Sequence, residues 1–120
     1  MTDGSYEVVE SVAGLPAVIA ALDHPARLRI LAMLSEGREY VSELARRLQI
    51  SRPLLHMHLR RLEAARLVVG SLELSDDGKA MRFYAVAPFD FHVTPDAITQ
   101  AVSQLGPAGL DTPNASKELD

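Results

Sequence analysis

The stretch SRPLLHMHLRRLEAARLV, residues 51–68, gathers two histidines, four arginines and a leucine stripe into one short segment. Histidine and arginine at this density point to two chemistries: metal coordination, or contact with phosphates and base edges. The spacing decides between them. Successive helical residues turn by about 100°, so His56 and His58 project about 200° apart and cannot clamp one ion. Chelation along a helix needs spacings of three or four, and the residues four on are Arg60 and Leu62, which are not ligands.

The same helical wheel sorts the segment into two faces. Leu55, Leu59 and Leu62 point inward, while Pro53, His56, Met57, Arg60 and Arg61 point away from them. His58 lies at the edge of the inward face and reads as a partly buried ring bonded to backbone. A basic outward stripe of this width fits the major groove of DNA, where arginine pairs bidentately with guanine and histidine or methionine touches base edges. The competing reading of the stripe is a solvated helix face.

The elements that would carry these residues follow from local signals. LPAVIAAL is a short apolar helix that stops at Asp23-His24-Pro25. Asp23 or His24 caps the next helix, PARLRILAMLSE, which Gly37 closes. Ser42 begins SELARRLQ, and Ser51 caps a further helix with Pro53 in its first turn, running to about Arg66. Two helices this close, the first short and the second basic, form a helix-turn-helix. The period then becomes alternating: Val68 to Leu74 and Ala80 to Ala87 read as strands joined through Asp77-Gly78, a hairpin placed as a wing. Pro95 to about Leu105 forms a last helix with Ile98, Ala101, Val102 and Leu105 on one face. The expected architecture is mainly α, an α+β winged helix-turn-helix of about five helices with a two-stranded β-hairpin wing.

With 120 residues, 48% of them hydrophobic, the chain holds one small domain. The expected division is a mobile tail at 1–12, a winged helix-turn-helix domain at 13–105, and a disordered tail at 106–120. No apolar run is long enough to span a bilayer, and MTDGSYEVVE is unlike a secretory signal, so the expected location is cytoplasmic. Zero cysteines remove disulfides, thiolate catalysis and sulfur-rich metal sites. The net charge of −4 hides an uneven distribution. Between Leu44 and Leu67 six arginines face one acid, Glu63. A local basic face matters more for phosphate binding than the total, because salt screens charge within about 10 Å. The expected base contacts are His56, Met57, Arg60 and Arg61; Arg46, Arg47, Arg52, Lys79 and Arg82 would hold phosphates. No G-x-S-x-G, H-E-x-x-H, phosphate loop or paired-carboxylate constellation is present, so an enzyme is not expected. A winged-helix module for protein partners is the remaining alternative, and the basic stripe weighs against it.

ALDHPARLRILAML, VSELARRLQIS, HMHLRRLEAARLV and the hairpin together resemble the ArsR/SmtB family of winged-helix regulators of bacteria and archaea, over roughly residues 15 to 90. The resemblance implies a homodimer joined through its first and last helices, with each recognition helix in one half of a near-palindromic double-stranded operator. His24 and His58 fall where members often carry histidine, in structural roles. Gln49 and Arg66 replace frequent glycines at helix ends, and His56 replaces a frequent serine.

Many members of that family sense metals. The cysteine site on the third helix is absent here. A second family site opens with Asp-x-His, which Asp90-Phe91-His92 matches. In an extended chain residues two apart share a side, so this pair can hold one ion. The family continues with His or Glu where this chain has Ser103 and Gly106, which leaves the partner subunit or Glu7 and Glu10 as sources of further ligands. Nitrogen and oxygen donors favour Ni²⁺, with Zn²⁺ or Co²⁺ as alternatives. The resemblance therefore implies a metal-responsive regulator, with a metal-independent regulator as the alternative and a helper protein as a further source of the response.

Overall fold

The computed structural model describes residues 14–105. The expected tails at 1–12 and 106–120, together with Glu7, Glu10 and Gly106, lie outside the described residues. The described elements are α1 (Leu15–Leu22), α2 (Pro25–Ser35), β1 (Glu39–Tyr40), α3 (Val41–Leu48), α4 (Arg52–Ala64), β2 (Val68–Leu74), β3 (Ala80–Val86) and α5 (Pro95–Ser103).

The helix starts have local causes. Pro16, Pro25, Pro53 and Pro95 sit in first turns, where a missing N–H costs nothing. Three caps are made by side chains: His24 Nδ1 accepts from the Ala26 N–H at 3.1 Å, Ser51 Oγ from Leu54 at 3.3 Å, and Thr94 Oγ1 from Ala97 at 3.0 Å. The third helix starts at Val41, one residue earlier than Ser42 predicts. Its cap residue Tyr40 makes no side-chain bond, and burial of Val41 draws the first turn inward.

The ends of the helix-turn-helix helices keep the backbone geometry that glycine usually supplies. Gln49 and Arg66 both adopt left-handed backbone, at φ 58° and 63°. At each, two reverse bonds close the helix: Ile50 N–H to Ala45 O and Gln49 N–H to Arg46 O, then Leu67 N–H to Leu62 O and Arg66 N–H to Glu63 O. The geometry usually given to glycine is retained without glycine, because these bonds and the buried Leu67 outweigh the backbone strain.

The hairpin forms as predicted, with Val68 opposite Val86 and Leu74 opposite Ala80. A third strand joins it. Glu39 and Tyr40 pair antiparallel with Tyr84 and Phe83, giving the order β1-β3-β2. Two residues carry no periodicity, so this strand was not visible in the sequence; Tyr40 stacking on Phe83, with ring centroids 4.3 Å apart, helps hold it.

One core unites the elements: Val18 and Ala21 of α1, Ile30 and Leu34 of α2, Leu44 of α3, Leu55, Leu59 and Leu62 of α4, then Leu67, Val68 and Tyr84. Each fully buried leucine contributes about 1.5–3 kcal/mol. The α2 stripe runs Arg27, Ile30, Leu31, Leu34, so an arginine occupies a core position.

Candidate nucleic-acid interface

Helix α4 buries Leu55, His58, Leu59 and Leu62 and turns Pro53, Met57 and Arg60 to solvent. The residues flanking that exposed line go to different neighbours. On one flank, Arg52 and His56 meet the wing: with Tyr40, Val41 and Ser42 at the start of α3 and Leu72, Met81 and Arg82 of the sheet, they line a concavity of about 310 Å³. Arg82 stands opposite Leu72 across the hairpin. Two guanidinium groups and an imidazole thus converge beside the exposed face of α4, in a cleft open to an approaching phosphate.

Arg61 lies on the other flank. It borders a shallow depression formed by Ala17, Ala20 and Ala21 of α1 and Ala64 and Ala65, so it is separated from the wing-side cluster. The reason is the wheel: Arg61 projects next to His58, whereas His56 projects next to the wing.

The two arginines of α3 are not free charges. Arg46 is paired with Glu43 one turn before it, and Arg47 lies 3.6 Å from Glu36 and 3.9 Å from Glu39. The count of six arginines against one acid therefore overstates the positive field. The acids that offset Arg46 and Arg47 precede the basic stretch and fold back onto it. Arg46 remains exposed and can exchange its partner for a phosphate. Lys79 sits on a turn that also carries Asp76 and Asp77; its backbone N–H donates to Ser75 Oγ at 3.1 Å. Arg38, which was not among the expected contacts, pairs with Glu73 and lies 4.2 Å over the Phe83 ring, which stiffens the wing base.

The expectation for His58 needs correcting. It is 1% exposed, and its partner is a side chain rather than backbone: Arg27 Nη1 lies 3.0 Å from His58 Nδ1. Guanidinium only donates, so Nδ1 must be the acceptor and the imidazole proton must sit on Nε2. Burial, then His24, Arg27 and Arg61, hold the His58 pKa below the ordinary histidine value. Arg27 was missed altogether, although its place in the run 27, 30, 31, 34 was the available signal.

His92 Nε2 lies 3.3 Å from Asp90 Oδ1, with both side chains exposed. Two ligands about 2.0–2.2 Å from a tetrahedral ion lie roughly 3.4 Å apart, so the pair fits one edge of a coordination shell. Among the described residues no third His, Asp or Glu joins them, and Ser103 adds no ligand of that kind.

A short helix-turn-helix, a basic second helix and an adjoining wing define a DNA-binding winged helix-turn-helix. Residues 24–69 match the model of the bacterial regulatory protein, arsR family. An uncharacterised HTH-type transcriptional regulator of Methanocaldococcus jannaschii, MJ0229, is 38% identical over 78 residues, which is 65% of this chain and 81% of that protein. The chain belongs to the arsR family of transcriptional regulators and is accordingly not an enzyme. Solved structures share the fold. Reduced HlyU from Vibrio cholerae superposes with a TM-score of 0.54 at 24% identity, covering 78% of this chain and 86% of its own. The homodimeric winged helix-turn-helix domain of Mb0332 from Mycobacterium bovis gives 0.55 at 21%, covering 80% and 83%. No described helix is long and apolar enough to cross a membrane.

Proposed function

We propose that this regulator binds a near-palindromic operator as a homodimer and answers to a divalent metal held by nitrogen and oxygen ligands. The observation that carries the DNA reading is the convergence of Arg52, His56 and Arg82 on one cleft beside the exposed Met57 and Arg60. In this reading α4 enters the major groove, His56, Met57 and Arg60 meet base edges, and Arg46, Arg52 and Arg82 hold the flanking phosphates. Arg47, Arg61 and Lys79 contribute at the margins, because acids or the α1 side divert them.

Dimerisation is supported by an apolar groove between α1 and α5, lined by Leu15, Ile19, Ile98, Ala101, Val102 and Leu105. Ile19, Ile98 and Val102 are about half exposed in the single chain, and a twofold partner would cover them. The metal reading is supported by the Asp90–His92 pair at the approach to α5. Nickel is the favoured ion, Zn²⁺ and Co²⁺ the alternatives, and further ligands would come from a second subunit, from residues outside those described or from water. A bound ion there would supply charge and cross-linking beside the dimer helices, and coupling of about 1–3 kcal/mol would suffice to alter operator affinity.

The test is the affinity of the full chain for DNA upstream of its own gene, at two salt concentrations, in chelator and then with Ni²⁺, Zn²⁺ or Co²⁺. Specific, salt-dependent binding changed by one metal is the expected result. Specific binding indifferent to all three removes the metal reading and keeps the regulator.

A further inference from the structure

Arg27 is 6% exposed, and each of its three guanidinium nitrogens has a partner. Nε donates to Ala21 O at 2.6 Å, Nη2 to Ala20 O at 3.5 Å, and Nη1 to His58 Nδ1 at 3.0 Å. Ala20 and Ala21 lie in the last turn of α1, whose carbonyls lack the i+4 helical partner and carry its negative dipole end; Ala20 O also accepts the Asp23 N–H at 3.3 Å. One side chain on α2 therefore joins the end of α1 to the middle of α4. The contact point on α4 is next to Met57 and two residues from His56, on the helix whose other face meets DNA.

From this geometry we infer that Arg27 is a positioning residue for DNA recognition, acting through His58 to set how α4 sits against α1. The inference rests on the reading of α4 as the DNA-contacting helix. Arginine suits the role because its planar fork fixes three directions at once, and a buried charge left without one of these bonds would be costly.

The contact is also sensitive to protons. A protonated imidazole has no acceptor, so protonation of His58 would break its bond with Arg27 and set two cations about 3.0 Å apart in the core. The groups facing this pair are consistent with that sensitivity. The His24 ring, before α2, lies 4.5 Å from the His58 ring, and Arg61, on α4 itself, adds positive charge; among the described residues Asp23, at the end of α1, is the acid that acts on Arg27. Acidification should therefore loosen α4 and weaken specific DNA binding.

His58→Asn separates this role from general stability, since Asn offers an oxygen acceptor near the place of Nδ1 and does not titrate. Affinity for the upstream DNA is measured for wild type and His58→Asn at about pH 7.5 and about pH 5, the lower value chosen because burial holds the His58 pKa below the ordinary histidine value. The two proteins differ at residue 58 alone, so any difference between their pH profiles is assigned to that position. The expected result is similar affinity at the higher pH and a wild type weakened by roughly fivefold or more, relative to His58→Asn, at the lower. Arg27→Met, of similar length but without donors, should lose at least roughly tenfold in specific affinity, with binding to unrelated DNA nearly unchanged. If Arg27→Met fails to fold, the His58→Asn comparison decides alone. Parallel pH profiles with specific binding intact would overturn this inference and spare the DNA reading. Absence of specific binding by wild type at either pH would overturn both.

Discussion

Gly70 of β2 faces Tyr84 of β3 so closely that a Cβ on Gly70 would lie 2.9 Å from the tyrosine ring. Tyr84 is buried, and its ring occupies the space a side chain at 70 would need. Gly70→Ala should therefore push the ring into the α4 side of the wing and destabilise the fold by about 1–3 kcal/mol. Thermal unfolding monitored by circular dichroism checks this. An unchanged midpoint would mean that the wing can move away from Tyr84 without cost.

The depressed pKa of His58 fixes the sign of an acid effect on stability. Unfolded chains regain the ordinary value near 6.5, so below it the unfolded state binds more protons than the folded one, and stability falls as pH falls. The contribution is fully present above about pH 6.5 and is lost progressively as pH drops from there toward the folded-state pKa. Denaturant unfolding of wild type and His58→Asn across this window should diverge, with the wild type losing more on acidification.

The two left-handed helix ends give a prediction of opposite sign. Gln49 and Arg66 are exposed, and the backbone bonds at both positions do not use their side chains. Gln49→Gly and Arg66→Gly should each relieve backbone strain and raise stability by about 0.5–1 kcal/mol, read as a shift in denaturant midpoint. A loss of stability at either position would show that its side chain contributes packing.

Arg60 and Lys79 should separate base reading from phosphate holding. Arg60→Ala is expected to cost about 1–3 kcal/mol at the operator and to relax sequence preference. Lys79→Ala should weaken all DNA about equally and flatten the salt dependence, by less than a full charge because Asp76 and Asp77 share its turn. Quantitative binding to operator and scrambled DNA over a salt series distinguishes the two. Wild-type behaviour in both variants would place the DNA surface elsewhere.

His92→Ala should lower affinity for Ni²⁺ by at least roughly tenfold in calorimetric titration of the full chain, and Asp90→Ala should act in the same direction. Unchanged affinity in both would remove this pair from any metal site.

Local rules made much of the fold legible in advance. Caps and prolines set the helix starts, the wheel of residues 51–66 separated Leu55, Leu59 and Leu62 from Met57 and Arg60, and Asp77-Gly78 announced the hairpin. Each of these depends on residues within a few positions of one another. The partners of His58, Arg38 and Arg47 were not legible, because they come from contacts distant in sequence, whereas the Glu43–Arg46 pair spans a single helical turn.

The amino-acid sequence by itself determined a winged helix-turn-helix and the residue types that its second helix turns outward, since periodicity and capping act within one element. Only the tertiary structure decided that Arg52, His56 and Arg82 share a cleft while Arg61 does not, that Glu36 and Glu39 temper Arg47, and that Arg27 reaches both α1 and His58. Arg27 and His58 are 31 residues apart. A polar pair of that kind is stable only when surrounding helices have excluded water from it and supplied the remaining acceptors, which no local stretch of chain can do.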